Sequence, residues 1–339
     1  MELTYFPELL ANTAANPPVK DSHATFGFYP SSASVEWTDD GTHRVVGACL
    51  RQQYYKHAEV PESDPPQAHF YLMGHFGNAI HSSVVELTKR AGIWRGDEGR
   101  FFIPQDDDRE RAPVSGRWDL FVRDPQGGRP IGVEIKTIHG YYAEKMCLGE
   151  GGKPKEEHIL QSLLYLDYYG RFGVEMWVLM YISRGSGDIR QYHIRIGESG
   201  EAIVDGIGVS ESYPHLTVQN MYSRWWSLMK AVEEKELPAR DYSIQWSNAE
   251  ITRRYRAKEL NQKDTRAVKK RLEEGDTEGV LLNKGDWQCA YCNFKTICYG
   301  VQWSDDYTAP QVVRPFHDPV LNDPTLAPAE AEPDMTGVI

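Results

Sequence analysis

The placement of the cysteines constrains this chain more than any other feature. Cys289, Cys292 and Cys298 sit together in CAYCNFKTIC, and Cys49 lies about 240 positions upstream in GACLRQQYY. A C-x-x-C pair holds a metal ion or cluster through two thiolates and leaves coordination positions open. A third thiolate and a distant fourth can fill them, which clamps two remote parts of the chain together. Closing so long a loop restricts the unfolded chain by about 4–5 kcal/mol if it acts as a long-loop crosslink. Five cysteines, an odd number, do not make a disulfide framework, and in a reducing compartment thiols serve as metal ligands more often than as bridges. Cys147 stands outside the set and reads as a spare thiol. Spacing alone leaves zinc and an iron–sulfur cluster both open.

A chain of 339 residues can bury a large core, as one big domain or two ordinary ones. No apolar run approaches a membrane span. The start, MELTYFPELLANTAANPPVK, lacks the basic-then-apolar pattern of a secretory signal, so a cytoplasmic location and no membrane partner are expected. The formal charge of −12 argues against a protein that coats nucleic acid non-specifically. It leaves room for a groove with a local basic strip. Such a strip runs from Arg253 to Arg271, with Arg254, Arg256, Lys258, Lys263, Arg266, Lys269 and Lys270 against Glu259 and Asp264. Phosphate contact and a solvated helix face are both open for it.

Patterning predicts a lead-in over 1–30, a helix over 42–56 carrying Cys49, and a helix over 68–90 with Leu72, Phe76, Ile80, Val84 and Leu87 inward. Strands follow over 114–123 and 130–137, joined through DPQGGR as a hairpin. A helix over 154–169 precedes a buried strand in GVEMWVLMYIS and a partner strand in DIRQYHIRI. Helices resume over 215–235. The Pro-rich stretch from 303 to 339 reads as a disordered tail. The sum is a mixed sheet with flanking helices, of class α/β, plus a mainly helical remainder.

The chemistry lies in the middle. On a strand, Glu134 and Lys136 in GVEIKT point to one face and Ile135 to the other. A carboxylate and an ammonium side by side on an apolar strand need partners or a task. Asp119 in GRWDL lies on the preceding strand, where the two acids can converge. Two carboxylates with a backbone carbonyl, that of Ile135, and water suit Mg²⁺ or Mn²⁺. Such an ion polarises a phosphate and acidifies bound water, and Lys136 can orient that water. His81 in GNAIHSSVVE is a further candidate ligand. Gln161 and Tyr165, four apart in HILQSLLY, share a helix face that can lean over the site.

This ordered set resembles the RecB-like branch of the PD-(D/E)xK nuclease superfamily. It is most similar to the iron–sulfur exonucleases typified by the CRISPR-associated exonuclease family and the AddB nuclease domain. The resemblance spans about residues 30 to 302. It implies a restriction-endonuclease-like core over 31–302, with a [4Fe–4S] cluster on Cys49, Cys289, Cys292 and Cys298 joining N- and C-terminal helical parts. By position it makes His81, Asp119 and Glu134 metal ligands, Lys136 the catalytic lysine, and Gln161 and Tyr165 the helix motif. Trp118 stands where the family name places proline, and the family tolerates this. The implied activity is divalent-metal-dependent cleavage of DNA from single-stranded ends, in recombination, repair or replication of a cellular or phage genome. No GxxxxGK[ST] phosphate loop occurs, so unwinding would fall to a helicase or recombinase partner. Two other expectations stand beside it: trimming of CRISPR spacer precursors, and a non-catalytic iron–sulfur or zinc scaffold that binds nucleic acid.

Overall fold

The computed structural model describes residues 27–39, 41–124 and 127–302, with short stretches at 10, 14–15 and 311–312. The expected tail over 303–339 and most of the expected lead-in lie outside the described residues. The last residues of that lead-in are ordered: Phe28 is buried, stacks on Trp225 and bridges Val114. The chain divides into two compact units. One comprises Met1–Tyr54, Pro66–Glu234 and Pro238–Asp241, and the other Tyr55–Pro65, Lys235–Leu237 and Tyr242–Ile339.

The first unit is α/β, built on a large mixed sheet with flanking helices. A hairpin of β1 (Ser34–Asp39) and β2 (Thr42–Gly47) leads to α1 (Leu50–His57) and the long α2 (Ala68–Arg90). Then come β3 (Trp94–Asp97), β4 (Arg100–Ile103), β5 (Val114–Arg117), β6 (Leu120–Arg123) and β7 (Pro130–Ile138). After α3 (Tyr141–Cys147) and α4 (Glu156–Tyr169) follow β8 (Trp177–Ser183), β9 (Ile189–Ile196), β10 (Glu201–Gly206), β11 (Val209–Thr217) and α5 (Val218–Glu234). The seven-stranded sheet has the order β11-β10-β9-β8-β7-β6-β3. Only β7 and β8 pair in parallel, because α3 and α4 carry the chain back between them.

Strand alternation sorts the two faces of β7. Val133 and Ile135 enter a core with Leu120, Val122, Val178, Ile182 and Val85 of α2. Glu134 and Lys136 face the other way, toward α4, whose segment Ile159–Leu166 is wholly buried. On that face Trp177 stacks on Tyr165 at 4.7 Å and lies over Gly132 of the neighbouring strand, where any Cβ would sit 2.2 Å from the indole.

Three local expectations are corrected. The predicted helix over 42–56 is a strand and then a helix. Thr42–Gly47 is rich in β-branched residues, and Gly47, at φ +97°, ends it where a Cβ would strike Ala33 O at 2.1 Å. Cys49 therefore precedes α1 instead of riding on it. The predicted strand over 114–123 breaks at Trp118–Asp119: β5 pairs with β4, while β6 pairs with β7 and β3. Trp118 drives the break, its ring packed where Cβ atoms at Gly96 and Gly99 would stand. On α2, Phe76 and Leu87 are exposed, and Ile80, Val84 and Val85 make the inward face.

The second unit is mainly helical. The helices α6 (Asn248–Arg256) and α7 (Gln262–Glu273) are capped by Ser247 and Asn261 and pack through Ile251, Val268 and Leu281. Two short helices, α8 (Trp287–Ala290) and α9 (Lys295–Tyr299), frame the C-terminal cysteines. No helix among the described residues is long and apolar enough to cross a membrane.

Candidate metal centre

The break before β6 builds the site. Backbone pairing of β6 with β7 stops at Leu120↔Val133. Asp119 then substitutes its side chain for the ladder: Oδ2 accepts the Ile135 N–H at 2.7 Å. This fixes the carboxylate against the edge of β7 and leaves Oδ1 toward α2, 3.7 Å from His81 Nδ1. Close approach of α2 to β7 is permitted by Gly77, four residues before His81, where a Cβ would meet Thr137 Oγ1 at 3.4 Å.

One residue before Ile135 on β7, Glu134 is 2 % exposed. Its Oε1 accepts from Lys136 Nζ at 2.7 Å, while its Oε2 is buried without a hydrogen bond of full geometry, the Tyr165 hydroxyl being the neighbour that interacts with the carboxylate. A buried carboxylate oxygen left open is costly unless a cation or proton completes it. Lys136 Nζ also donates to Gln161 Oε1 at 2.8 Å. Gln161 Nε2 donates to the Tyr165 hydroxyl at 2.9 Å, and that hydroxyl donates to Arg117 O at 2.9 Å. Gln161 and Tyr165 therefore hold the ammonium from the α4 side and tie it back to the strand before Asp119.

The electrostatics follow from burial. Desolvation pushes the Glu134 carboxyl up to about 7, against the pull of Lys136, and the charge of Asp119 adds to the rise. Desolvation likewise raises Asp119 to about 6, opposed by the Ile135 N–H and Lys136. Burial lowers His81, which keeps the imidazole neutral and available as a ligand near pH 7. Tyr165 is driven far above its ordinary value by burial and by Glu134, so it stays a neutral hydrogen-bonding group.

The sequence reading missed one residue, Glu98. It occupies the turn between β3 and β4 with φ +55°, a strained conformation for a residue with a side chain. Its N–H donates to Asp119 O at 3.1 Å, and Gly99 O accepts from Trp118 N, so the turn is pinned to the strand break. Ligand atoms of His81, Glu98 and Asp119 all lie within 4.8 Å of one another. Glu98 also pairs with Arg117 at 2.6 Å. No pattern in the sequence marks it, since it joins the site through a turn rather than through a strand or helix period. Glu134 is outside this triplet and joins the site from the Lys136 side. His81, Glu98 and Asp119 could together hold a metal ion through one imidazole nitrogen and two carboxylate oxygens.

The cysteines are arranged differently. Cys289, Cys292 and Cys298 belong to the second unit and Cys49 to the first. In the second unit, Cys289 Sγ lies 3.7 Å from the Tyr299 hydroxyl, which also feels Cys298, and Cys298 in turn raises Cys292. Tyr299 lies beside Cys289 and feels Cys298, and its hydroxyl donates to Tyr242 O and accepts the Ile244 N–H. The three thiols form no set of three ligand atoms within 4.8 Å of one another. In the first unit, burial and then Asp241 push the Cys49 thiol up to about 11. Asp241 also accepts the Leu50 N–H at 2.6 Å and pairs with the buried Arg224 at 2.9 Å, which anchors the chain just after Cys49. Cys147 is buried and separate.

The basic strip is neutralised in part. Arg253 and Arg254 pair with Glu250 and Glu259, and Arg254 with Asp286. Lys269, Lys270 and Arg271 pair with Glu273, Glu274 and Asp276.

No family model matches the chain, and no curated protein matches it. Among solved structures it is similar to one titled "Crystal structure of SSO0001", at 14 % identity and a TM-score of 0.41, covering 87 % of this chain and 96 % of that one.

Proposed function

We propose that this chain is a divalent-metal-dependent deoxyribonuclease of the RecB-like, restriction-endonuclease-like kind, acting on DNA ends in recombination, repair or replication. The observation that carries the reading is the buried Oε2 of Glu134, two residues from Lys136, on a carboxyl that the charge of Asp119 pushes further up. A buried ion pair built only for stability would close both carboxylate oxygens. Here one is left over, in a corner that also holds His81, Asp119 and Glu98.

In this reading His81, Asp119, Glu134 and the Ile135 carbonyl hold Mg²⁺ or Mn²⁺, with Glu98 as an added carboxylate. The ion supplies charge neutralisation at the phosphate and acidifies a bound water. Asp119 keeps its ligand geometry because Ile135 N–H holds one of its oxygens. Lys136, held by Gln161 and Glu134, directs a fixed positive charge at the oxygens that gain charge as the P–O ester bond breaks. The water oxygen bonds to phosphorus, the ester oxygen leaves, and one proton passes from the water to the leaving side. Gln161 and Tyr165 position the ammonium.

The four thiols Cys49, Cys289, Cys292 and Cys298 suit a [4Fe–4S] cluster as a structural staple by their residue type and spacing. A reducing, cytoplasmic setting goes with thiolate ligands. An anaerobically purified protein is expected to be brown and to lose its colour with Cys289→Ser. The nuclease assignment is tested by Mn²⁺-dependent degradation of end-labelled DNA: Asp119→Asn and Lys136→Gln, folded by circular dichroism, should be inactive. Undiminished cleavage by either refutes the assigned site.

A further inference from the structure

The C-terminal ends of β7 and β8 carry a second feature that the metal centre does not use. After Ile138 the chain turns through Gly140, at φ +94°, into the short helix α3. One side of α3 is anchored. Cys147 is buried and its carbonyl accepts from the Tyr192 hydroxyl at 2.8 Å, and Glu144 Oε1 accepts from the buried Ser183 Oγ at 2.7 Å. Ser183 Oγ also accepts the N–H groups of Gly185 and Ser186, both at 3.1 Å. The 184–186 turn is thereby locked against α3, and a side chain at Gly185 would meet Glu144 and His139 within 3.9 Å.

The other side of α3 faces solvent with two aromatic rings. Tyr141 is 71 % exposed and Tyr142 65 %, set edge to face at 6.0 Å. Lys145 Nζ stands 5.9 Å from the Tyr141 ring. Exposed rings with a cation at their border have the chemistry that takes nucleobases on their faces and phosphates on their edge. The corner is continuous with the metal centre: Tyr141 follows Lys136 by five residues, at most about 17 Å along extended chain.

We infer that Tyr141 and Tyr142, with Lys145, form a base-stacking platform that leads a single polynucleotide strand to the carboxylate site. The inference rests on the nuclease reading and names the element by which that site would prefer unpaired strands. A stacked base accounts for exposed rings next to a phosphodiester site, and a duplex cannot offer its base faces there.

The test is fluorescence anisotropy of labelled oligothymidylate, with Ca²⁺ replacing Mn²⁺ to prevent cleavage. Wild-type protein is compared with Tyr141→Ala/Tyr142→Ala, Tyr141→Phe/Tyr142→Phe and Lys145→Gln, each checked for its melting temperature. The alanine pair should weaken binding by ~10–100-fold, and the phenylalanine pair should restore it. An abasic strand of equal charge should bind equally to wild type and the alanine pair. Lys145→Gln should lower the slope of log affinity against log salt by about one. Unchanged oligothymidylate affinity in the alanine pair, as a protein-docking face would give, overturns the platform and leaves the nuclease reading standing. Equal losses on the abasic strand overturn it as well. Wild-type protein that binds neither strand removes both readings.

Discussion

Two charged regions of this protein look alike in sequence and differ in structure. The 253–271 segment and the Asp119–Glu134–Lys136 group each gather acids and bases. In the first, carboxylates pair with Arg253, Arg254, Lys269, Lys270 and Arg271, at sites partly open to water. Such pairs contribute about 0–1 kcal/mol each. In the second, the charges are buried, one ammonium is shared between a carboxylate and an amide, and one carboxylate oxygen is left over. Charge density does not separate a functional site from a decorated surface. What separates them is the kind of open group: a buried carboxylate oxygen at the site, against a guanidinium Nε of Arg271 that already pairs with Asp276 in the strip.

The largest expected effect is on catalysis. Lys136→Gln and Asp119→Asn should each lower Mn²⁺-dependent DNA cleavage by at least ~10²–10³-fold, while Arg253→Gln should leave it within twofold or about that range. Comparable losses from both regions would erase the contrast.

Next is stability. Glu134→Gln removes a buried charge but keeps its shape, so the metal-free variant should melt no lower than wild type. Mn²⁺ should raise the melting temperature of wild type and not of the variant. The pH dependence sharpens this. Folding raises the pKa of Asp119 from 3.8 to about 6 and of Glu134 from 4.5 to about 7. Between those limits the native state binds more protons than the unfolded chain, so the stability of metal-free protein should fall as pH rises from about 4 to about 7 and level off above. Thermal melts across that range check it. Mn²⁺ competes with the same protons, and its stabilisation should grow over the same interval. The smallest effect belongs to the strip: Arg253→Gln/Arg254→Gln should cost about 1 kcal/mol or less per pair in urea unfolding.

Much of this was legible in the sequence, for physical reasons that vary by element. The 68–90 helix follows from a long 3.6-residue period, and its matched ends needed no tertiary knowledge. Strand alternation placed Glu134 and Lys136 on one face, and four-residue spacing placed Gln161 with Tyr165; all four meet. The strands Glu201–Gly206 and Val209–Thr217 were missed because their outward residues are polar and their inward ones, such as Ala202 and Val204, are too few to show a period. Inward positions on α2 were misjudged at Phe76 and Leu87, since a helix aromatic is apolar on either face. Glu98 was out of reach, because a turn at positive φ carries no periodicity. In the basic strip the Glu250–Arg254 and Lys269–Glu273 pairs follow from four-residue spacing, whereas Asp286 reaches Arg254 only through tertiary folding.

Calorimetric titration of Mn²⁺ into metal-free wild-type and Glu134→Gln protein at pH 7.5 or about that value tests the central claim most directly. A saturable heat in wild type, lost or severely weakened in the variant while both remain folded, is the predicted result. Equal heats in the two proteins would mean that the open oxygen of Glu134 does not serve a cation, and the account of the site would fall.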